Sequence, residues 1–247
     1  MPDEQLVEFL ELTGQSDSVE LKVTVPESEH YGVARSLGFD VLDAQIRQLF
    51  FFDTPDLALS DAGLVLRARR IQRRPGDVIV KLRPAVPASF GKALRRNQGF
   101  KVEVDAMPGG FTCSASLRER IDNSDVRQVV LGKRALETLF SKEQRRLMSH
   151  HMPEELNLGE VAVLGPIIVL KGKFDPEGLG RRMVAELWLY PDGSRVLELS
   201  TKCAPGEAFQ VAAEARAFLH ERGVDLEGEQ QAKTAKALEF FAASLHG

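Results

Sequence analysis

The feature that most constrains this chain is a period-two alternation of apolar and charged residues, repeated in segment after segment, with the charges paired on one face. In residues 19–25 (VELKVTV), Val19, Leu21, Val23 and Val25 share one face while Glu20, Lys22 and Thr24 share the other. Successive side chains of a strand point to opposite sides, so this pattern predicts a strand with one apolar and one charged surface. The habit recurs with Arg67 and Arg69 in 64–71, Lys81 and Arg83 in 78–83, and Glu103 and Asp105 in 99–106. It returns with Lys171 and Lys173 in 167–174, and with Glu198 and Lys202 in 195–202, where Ser200 lies between them. Residues 183–190, carrying Glu186 and Trp188, and 195–202 flank Pro191-Asp192-Gly193 and form the clearest hairpin.

Between these strands, Pro26 ends the first and Ser28 is placed as the N-cap of a short helix finishing near Gly38. Residues 44–52 become apolar and aromatic toward Asp53-Thr54-Pro55-Asp56, a turn in which proline presets φ. Residues 57–63 are expected to make an irregular return, 73–76 a turn, and 84–97 a loop or lid, with Arg95 able to close over an opening. Segments 114–121 and 125–139 are expected to be helical; 140–148 fits strand or helix, and as a strand it would align Lys142, Gln144 and Arg146. A loop over 150–159, a strand over 160–164, and helices over 206–222 and 229–245 joined through Gly223 and Gly228 complete the reading. With no internal repeat and no Gly/Ser-rich linker, one domain spanning 1–247 is the simplest partition.

Composition narrows the partners. A net charge of −4 over 247 residues lacks the basic excess of a protein that lies on a nucleic-acid duplex. Cys113 and Cys203, the only cysteines, form no C-x-x-C pair, so neither a zinc motif nor a disulfide framework is indicated and a reducing cytoplasm is the expected compartment. No run of about 18 apolar residues suggests a membrane span. His150-His151 lacks a third ligand at metal spacing, and Asp53 and Asp56 are read as turn formers. Walker, Rossmann and serine-hydrolase patterns are absent.

The charged faces admit two architectures. In an open antiparallel sheet they would be wet surface opposite a packed face. Yet they lack the usual mixture of Thr, Ser and Gln, and neighbouring basic side chains repel unless an anion lies between them. In a closed barrel the same alternation would line a narrow tunnel in which Arg and Lys converge on an extended phosphate chain. Carboxylates there would hold Mg²⁺ or Mn²⁺, hard cations that bridge carboxylate and phosphate oxygens.

The ordered motifs resemble those of the CYTH, or triphosphate-tunnel, family. Ser18-Val19-Glu20-Leu21-Lys22 is similar to its opening E-x-E-x-K strand. Phe51-Phe52-Asp53-Thr54, followed by Leu66-Arg67-Ala68-Arg69, resembles its aromatic-Asp-Thr turn and L-R-x-R strand. Val80-Lys81-Leu82-Arg83, Val102-Glu103-Val104-Asp105, the segment through Arg146, Leu197-Glu198-Leu199 and Lys233 resemble the blocks that follow, in order, between about residues 18 and 240. The resemblance implies an α+β fold: a closed antiparallel barrel of about eight strands with helices packed outside. It implies phosphate binding by Arg67, Arg69, Lys81, Arg83, Arg146, Lys171, Lys173, Lys202 and Lys233. Metal ligation falls to Glu20, Glu103, Asp105, Glu186 and Glu198, and catalysis to Glu20, Lys22 and Glu198. The implied ligand is tripolyphosphate, an organic triphosphate or a longer polyphosphate, either hydrolysed with Mg²⁺ or Mn²⁺ or, for ATP, cyclised. Two positions depart from the pattern: Ser18 replaces the first Glu, and Val196 and Ser200 flank Glu198 where a second Glu is usual. Those losses support an alternative, a non-catalytic polyphosphate or nucleotide sensor with degraded metal ligation.

Overall fold

The alternating segments close on themselves. In the computed structural model, which describes residues 3–224, 226, 230 and 233–245, nine strands form one closed barrel among the described residues. They are β1 (Ser18–Val25), β2 (Gln45–Asp53), β3 (Leu64–Ile71), β4 (Arg74–Leu82), β5 (Phe100–Met107), β6 (Gly110–Ile121), β7 (Ala162–Phe174), β8 (Met183–Leu189) and β9 (Arg195–Cys203). Their order around the barrel is β1-β5-β6-β4-β3-β2-β7-β8-β9, with β9 returning to β1. The helices are α1 (Asp3–Thr13), α2 (His30–Ser36), α3 (Ala58–Asp61), α4 (Lys92–Arg95), α5 (Asn123–Val130), α6 (Lys142–Ser149), α7 (Ala208–Glu221) and α8 (Lys233–Leu245).

Two expectations about the barrel change. It has nine strands rather than about eight, and it is mixed: β1 pairs in parallel with β5 from Ser18↔Glu103 to Leu21↔Ala106. The added strand comes from 114–121, expected as helix. Gly109, at φ +91, makes the tight turn that folds β6 back on β5, and β6 then pairs with β4 as well. Cross-strand partners on both sides outweigh the helix-forming Arg, Glu and Leu of that segment. The strands expected over 160–164 and 167–174 merge into one, β7, which starts at Ala162 after a 3₁₀ turn at Leu158–Glu160 and whose register with β2 shifts between Leu49 and Phe51.

Segment 140–148 resolves as helix, because Ser141 and Gln144 form a reciprocal capping box at the start of α6. Gln144 then enters the outer core, where its amide donates to the carbonyls of Val78 at 3.1 Å and Leu117 at 2.9 Å. Gln144→Leu is expected to cost about 1–3 kcal/mol, read by urea denaturation, because two buried hydrogen bonds are lost with little change in side-chain volume. Ser28 lies inside a 3₁₀ turn (Glu27–Glu29) rather than capping α2, and the turn expected at 73–76 shifts to Gln72-Arg73, leaving Pro75 and Gly76 in β4. Within 84–97 a 3₁₀ turn and α4 form, and Arg95 donates to the carbonyls of Gln15 and Pro87, tying this segment down instead of closing an opening. Only 123–130 of the helix expected over 125–139 forms as α5, with a 3₁₀ turn at Leu136–Leu139. Helix α1 had no counterpart among the expected elements. The expected start of the last helix at Glu229, and Gly228 before it, lie outside the described residues.

The outward faces of β3–β6 bury Leu66, Val80, Val102 and Leu117 beneath α1, α5 and α6. Those of β1, β8 and β9 bury Val23, Ala185 and Leu199 beneath α2 and α7. Helix α8 has a different place: its Ala237, Leu238 and Phe241 pack with Leu49, Phe51, Val169, Trp188 and Val196, side chains on the inward face of the strands. One end of the barrel is therefore filled with apolar groups. Among the described residues, β1 has no strand partner on the β5 side beyond Leu21. The edge is met by Gln230, whose Oε1 accepts from Thr24 N at 2.8 Å and whose Nε2 donates to Thr24 O at 3.3 Å.

Candidate functional site: a charged tunnel

The inward faces of the strands bring acids and bases together deep in the barrel. Asp105, 2% exposed, accepts from the Lys22 ammonium at 2.9 Å and from Lys81 and Arg83 at 3.4 Å each. Burial pushes its carboxyl up, but Lys81, Lys22 and Arg83 outweigh burial and hold it well below the usual carboxylate range. Lys22 also contacts Glu20 at 3.2 Å, and its ammonium is driven upward because Asp105, Glu20 and Glu198 overcome desolvation. Lys22 is thus a fixed cation.

Across the barrel, β8 and β9 set Glu186 directly beside Glu198, and β7 sets Lys171 beside Glu186. Lys171 donates to Glu186 at 2.5 Å. Lys233, from the first turn of α8, reaches both acids, contacting Glu186 Oε2 and lying 2.7 Å from Glu198 Oε1. Burial opposes both charges, yet Lys233 and Lys171 keep the Glu186 carboxyl well below its ordinary value, and Glu186 and Glu198 raise the Lys233 ammonium. Toward the rim, Glu103 accepts from Lys202 and from the Ser18 hydroxyl at 3.1 Å, while Ser200 donates to Glu20 at 3.4 Å. The two positions where a carboxylate was expected thus present hydroxyls to the carboxylates that remain.

The basic side is unevenly satisfied. Arg69 makes a two-pronged bridge to Asp77 at 2.7 Å per prong, and Arg118 shares the same carboxylate. Arg67 is different: no carboxylate pairs with it among the described residues, and its buried Nε has no hydrogen-bond partner. Burial, with Arg69 adding to it, pushes its guanidinium down to about 10. Arg67, Lys81 and Arg83 line a small void with Val65, Ile79 and Thr234 of α8. Arg47 is also held down to about 10 by burial and by Arg69; among the described residues its guanidinium donates to Gln45 alone.

Most expected site residues converge here: Glu20, Lys22, Arg67, Arg69, Lys81, Arg83, Glu103, Asp105, Lys171, Glu186, Glu198, Lys202 and Lys233 all stand on the inward face or on the α8 turn that enters it. Lys173 is exposed near the end of β7. Arg146 is a correction: it is exposed on α6, outside the barrel, because the capping box makes that segment a helix. Arg47, Asp77 and Arg118 were missed. Arg47 is in phase with Leu49 and Phe51, and Asp77 with Lys81, so their alternation could have found them. Arg118 was hidden by the helical reading of its segment. Trp188 is buried and packs with Phe51 at the filled end.

Among the described residues no three acidic, His or Cys side chains gather as a metal cluster. Two do converge: Glu186 and Glu198 meet at one point, held by the Lys233 ammonium. One or two carboxylates plus phosphate oxygens are the usual protein-side share of a Mg²⁺ shell, so the pair fits such an ion once Lys233 yields its place.

No family model and no curated protein matches this sequence. Solved structures do match. A Hippeastrum protein, described as a candidate adenylyl cyclase with a dominant triphosphatase activity, is 19% identical over 90% of this chain and 95% of its own, with a TM-score of 0.67. A candidate adenylate cyclase from Bacillus halodurans is 11% identical over 89% of this chain and 97% of its own, with a TM-score of 0.61. At these identities the likeness shows the fold alone: a closed, CYTH-like β-barrel with helices packed outside. No helix among the described residues is long and apolar enough to cross a membrane.

Proposed function

We propose that the tunnel binds a linear triphosphate or longer polyphosphate and hydrolyses a phosphoanhydride bond with Mg²⁺ or Mn²⁺. The observation that carries this reading is Arg67, a guanidinium with a buried, unpaired Nε beside Lys81 and Arg83. Among the described residues, Lys81 and Arg83 share Asp105 with Lys22 and no carboxylate pairs with Arg67, so the cations around the void carry unspent positive charge that would draw a polyanion. The solved neighbours, described as candidate cyclases and in one case a triphosphatase, support the same substrate class.

In this reading Arg67, Lys81 and Arg83 hold the phosphate oxygens and stabilise the charge that develops on the leaving phosphate as the anhydride bond breaks. Lys22, kept protonated by Asp105 and Glu20, orients the phosphate being cleaved. Glu20 is kept ionised, since Lys22 and Lys202 outweigh its burial, and it is placed to accept a proton from water. Glu186 and Glu198 would hold the divalent cation, which would neutralise phosphate charge and make bound water more acidic. With ATP, a ribose hydroxyl could replace water and the outcome would be cyclisation.

A second reading, a polyphosphate-binding protein without turnover, is favoured by the hydroxyls of Ser18 and Ser200 at positions that usually carry carboxylates. The deciding measurement is phosphate and pyrophosphate release from tripolyphosphate and ATP, with Mg²⁺, Mn²⁺ or EDTA, alongside calorimetric binding of tripolyphosphate. Release that requires the divalent ion is expected. Tight binding without release selects the second reading, and no binding of any polyphosphate sinks both.

A further inference from the structure

Adjacent carboxylates on neighbouring strands repel, and Glu186 and Glu198 are a directly paired couple in a buried setting. Such a couple stays ionised only with a cation between its members. Here the chain provides its own: Lys233 Nζ touches both, and the α8 helix that carries it is anchored by Ala237, Leu238 and Phe241. Glu186 has a second ammonium in Lys171, whereas Lys233 is the sole cation on Glu198 among the described residues. We propose that Lys233 is a tethered competitor for the divalent cation: metal enters the Glu186–Glu198 couple only as the Lys233 ammonium leaves it, so metal loading and the seating of the first turn of α8 exclude each other.

The charge and coordination chemistry support the exchange. A divalent ion brings twice the charge of an ammonium and prefers oxygen donors, and each Glu has a carboxylate directed at the same point. The ammonium has the advantage of being tethered, since a group held on the same chain competes at an effective concentration on the order of millimolar. A free ion must therefore outcompete a neighbour that is always present. A triphosphate would shift the balance, because its oxygens could accept the displaced ammonium, so substrate and metal would load together. That last step rests on the proposed polyphosphate binding; the competition itself does not.

The chain carries its own reporter. Trp188, the only tryptophan, has the Lys233 ammonium 5.1 Å from its ring centroid. Departure of a cation from an indole face should change its emission. The test is Mn²⁺ binding followed by electron paramagnetic resonance, with Mg²⁺ titrations read by Trp188 fluorescence, on the wild-type protein, Lys233→Met and Lys233→Arg, without phosphate. Methionine keeps an apolar stem against Trp188 and removes the charge; arginine keeps the charge. Lys233→Met is expected to bind Mn²⁺ at least about tenfold more tightly than wild type, as removal of a millimolar-scale internal competitor requires. Lys233→Arg should bind weakly, like wild type. Mg²⁺ should produce a saturable emission change in wild type that Lys233→Met lacks. Unchanged or weaker Mn²⁺ affinity in Lys233→Met, or no divalent binding by any of the three, overturns the proposal. Circular dichroism establishes that each variant is folded, and a separate tripolyphosphate titration in EDTA distinguishes failure here from failure of the polyphosphate reading.

Discussion

Replacing Asp105 with asparagine is expected to lower the stability of the ligand-free protein by about 3–5 kcal/mol, the usual cost of removing one partner from a buried ion pair, and tripolyphosphate is expected to restore much of it. Asp105 is 2% exposed and is the shared counter-ion of Lys22, Lys81 and Arg83. Asparagine keeps the shape and drops the charge, so Lys81 and Arg83 lose the carboxylate they share while Lys22 keeps its contact with Glu20. A polyanion then gains an additional role as their counter-charge, and the rise in melting temperature on adding tripolyphosphate should be larger for the variant than for wild type. Equal stability of the two proteins without ligand would remove Asp105 from the centre of the network. Acid should narrow the gap between them. The folded carboxyl lies below its ordinary value of 3.8, so its stabilisation is present above that pH and is lost as pH falls through the depressed folded value. Chemical denaturation of both proteins at neutral pH and below 3.8 measures that convergence.

Arg67→Met is expected to separate binding from stability. The guanidinium has a buried nitrogen without a partner, and desolvation already pushes it down to about 10. Exchanging it for an unbranched apolar side chain removes an unpaired charge from the interior, so the melting temperature should hold or rise. Charge-assisted hydrogen bonds to phosphate are worth about 1.5–3 kcal/mol, so tripolyphosphate affinity should fall by about ten- to a hundredfold. Calorimetric titration and a thermal melt on the same sample read both quantities. A variant that loses stability but keeps its affinity would show that Arg67 is structural. Arg69, locked in its fork with Asp77, provides the contrast: its loss should disturb the fold before the ligand.

What was legible in the sequence was local. β1, β3 and β5 could be placed because a strand shows its two faces in a run of eight residues; the alternation left open whether the charged face was wet surface or interior, and closure of the barrel puts it inside. The parallel pairing of β1 with β5 was not legible, since it joins residues such as Ser18 and Glu103 that no local signal relates. β6 was missed because Leu117, Arg118, Glu119 and Arg120 also suit a helix, and only its two neighbours decide the matter. Arg146 was misplaced for the opposite reason: Ser141 and Gln144 carry a capping signal that outranks the period-two match. Inward-facing cations were easier to find than the state of the acids. That Lys233 sits between Glu186 and Glu198 depends on a helix entering the barrel end, which charge patterning within strands does not encode.

The bond from Gln230 to Thr24 has a consequence for how the chain can be cut. Gln230 thus acts as a splint along the margin of β1 that, among the described residues, no strand covers beyond Leu21. A protein shortened before residue 230 would lose more than its internal stopper; it would present an unsatisfied strand margin, the kind of surface on which second molecules assemble. Clipping the tail therefore yields a sticky barrel rather than an open one, and the tunnel is best emptied by point changes that leave the splint in place.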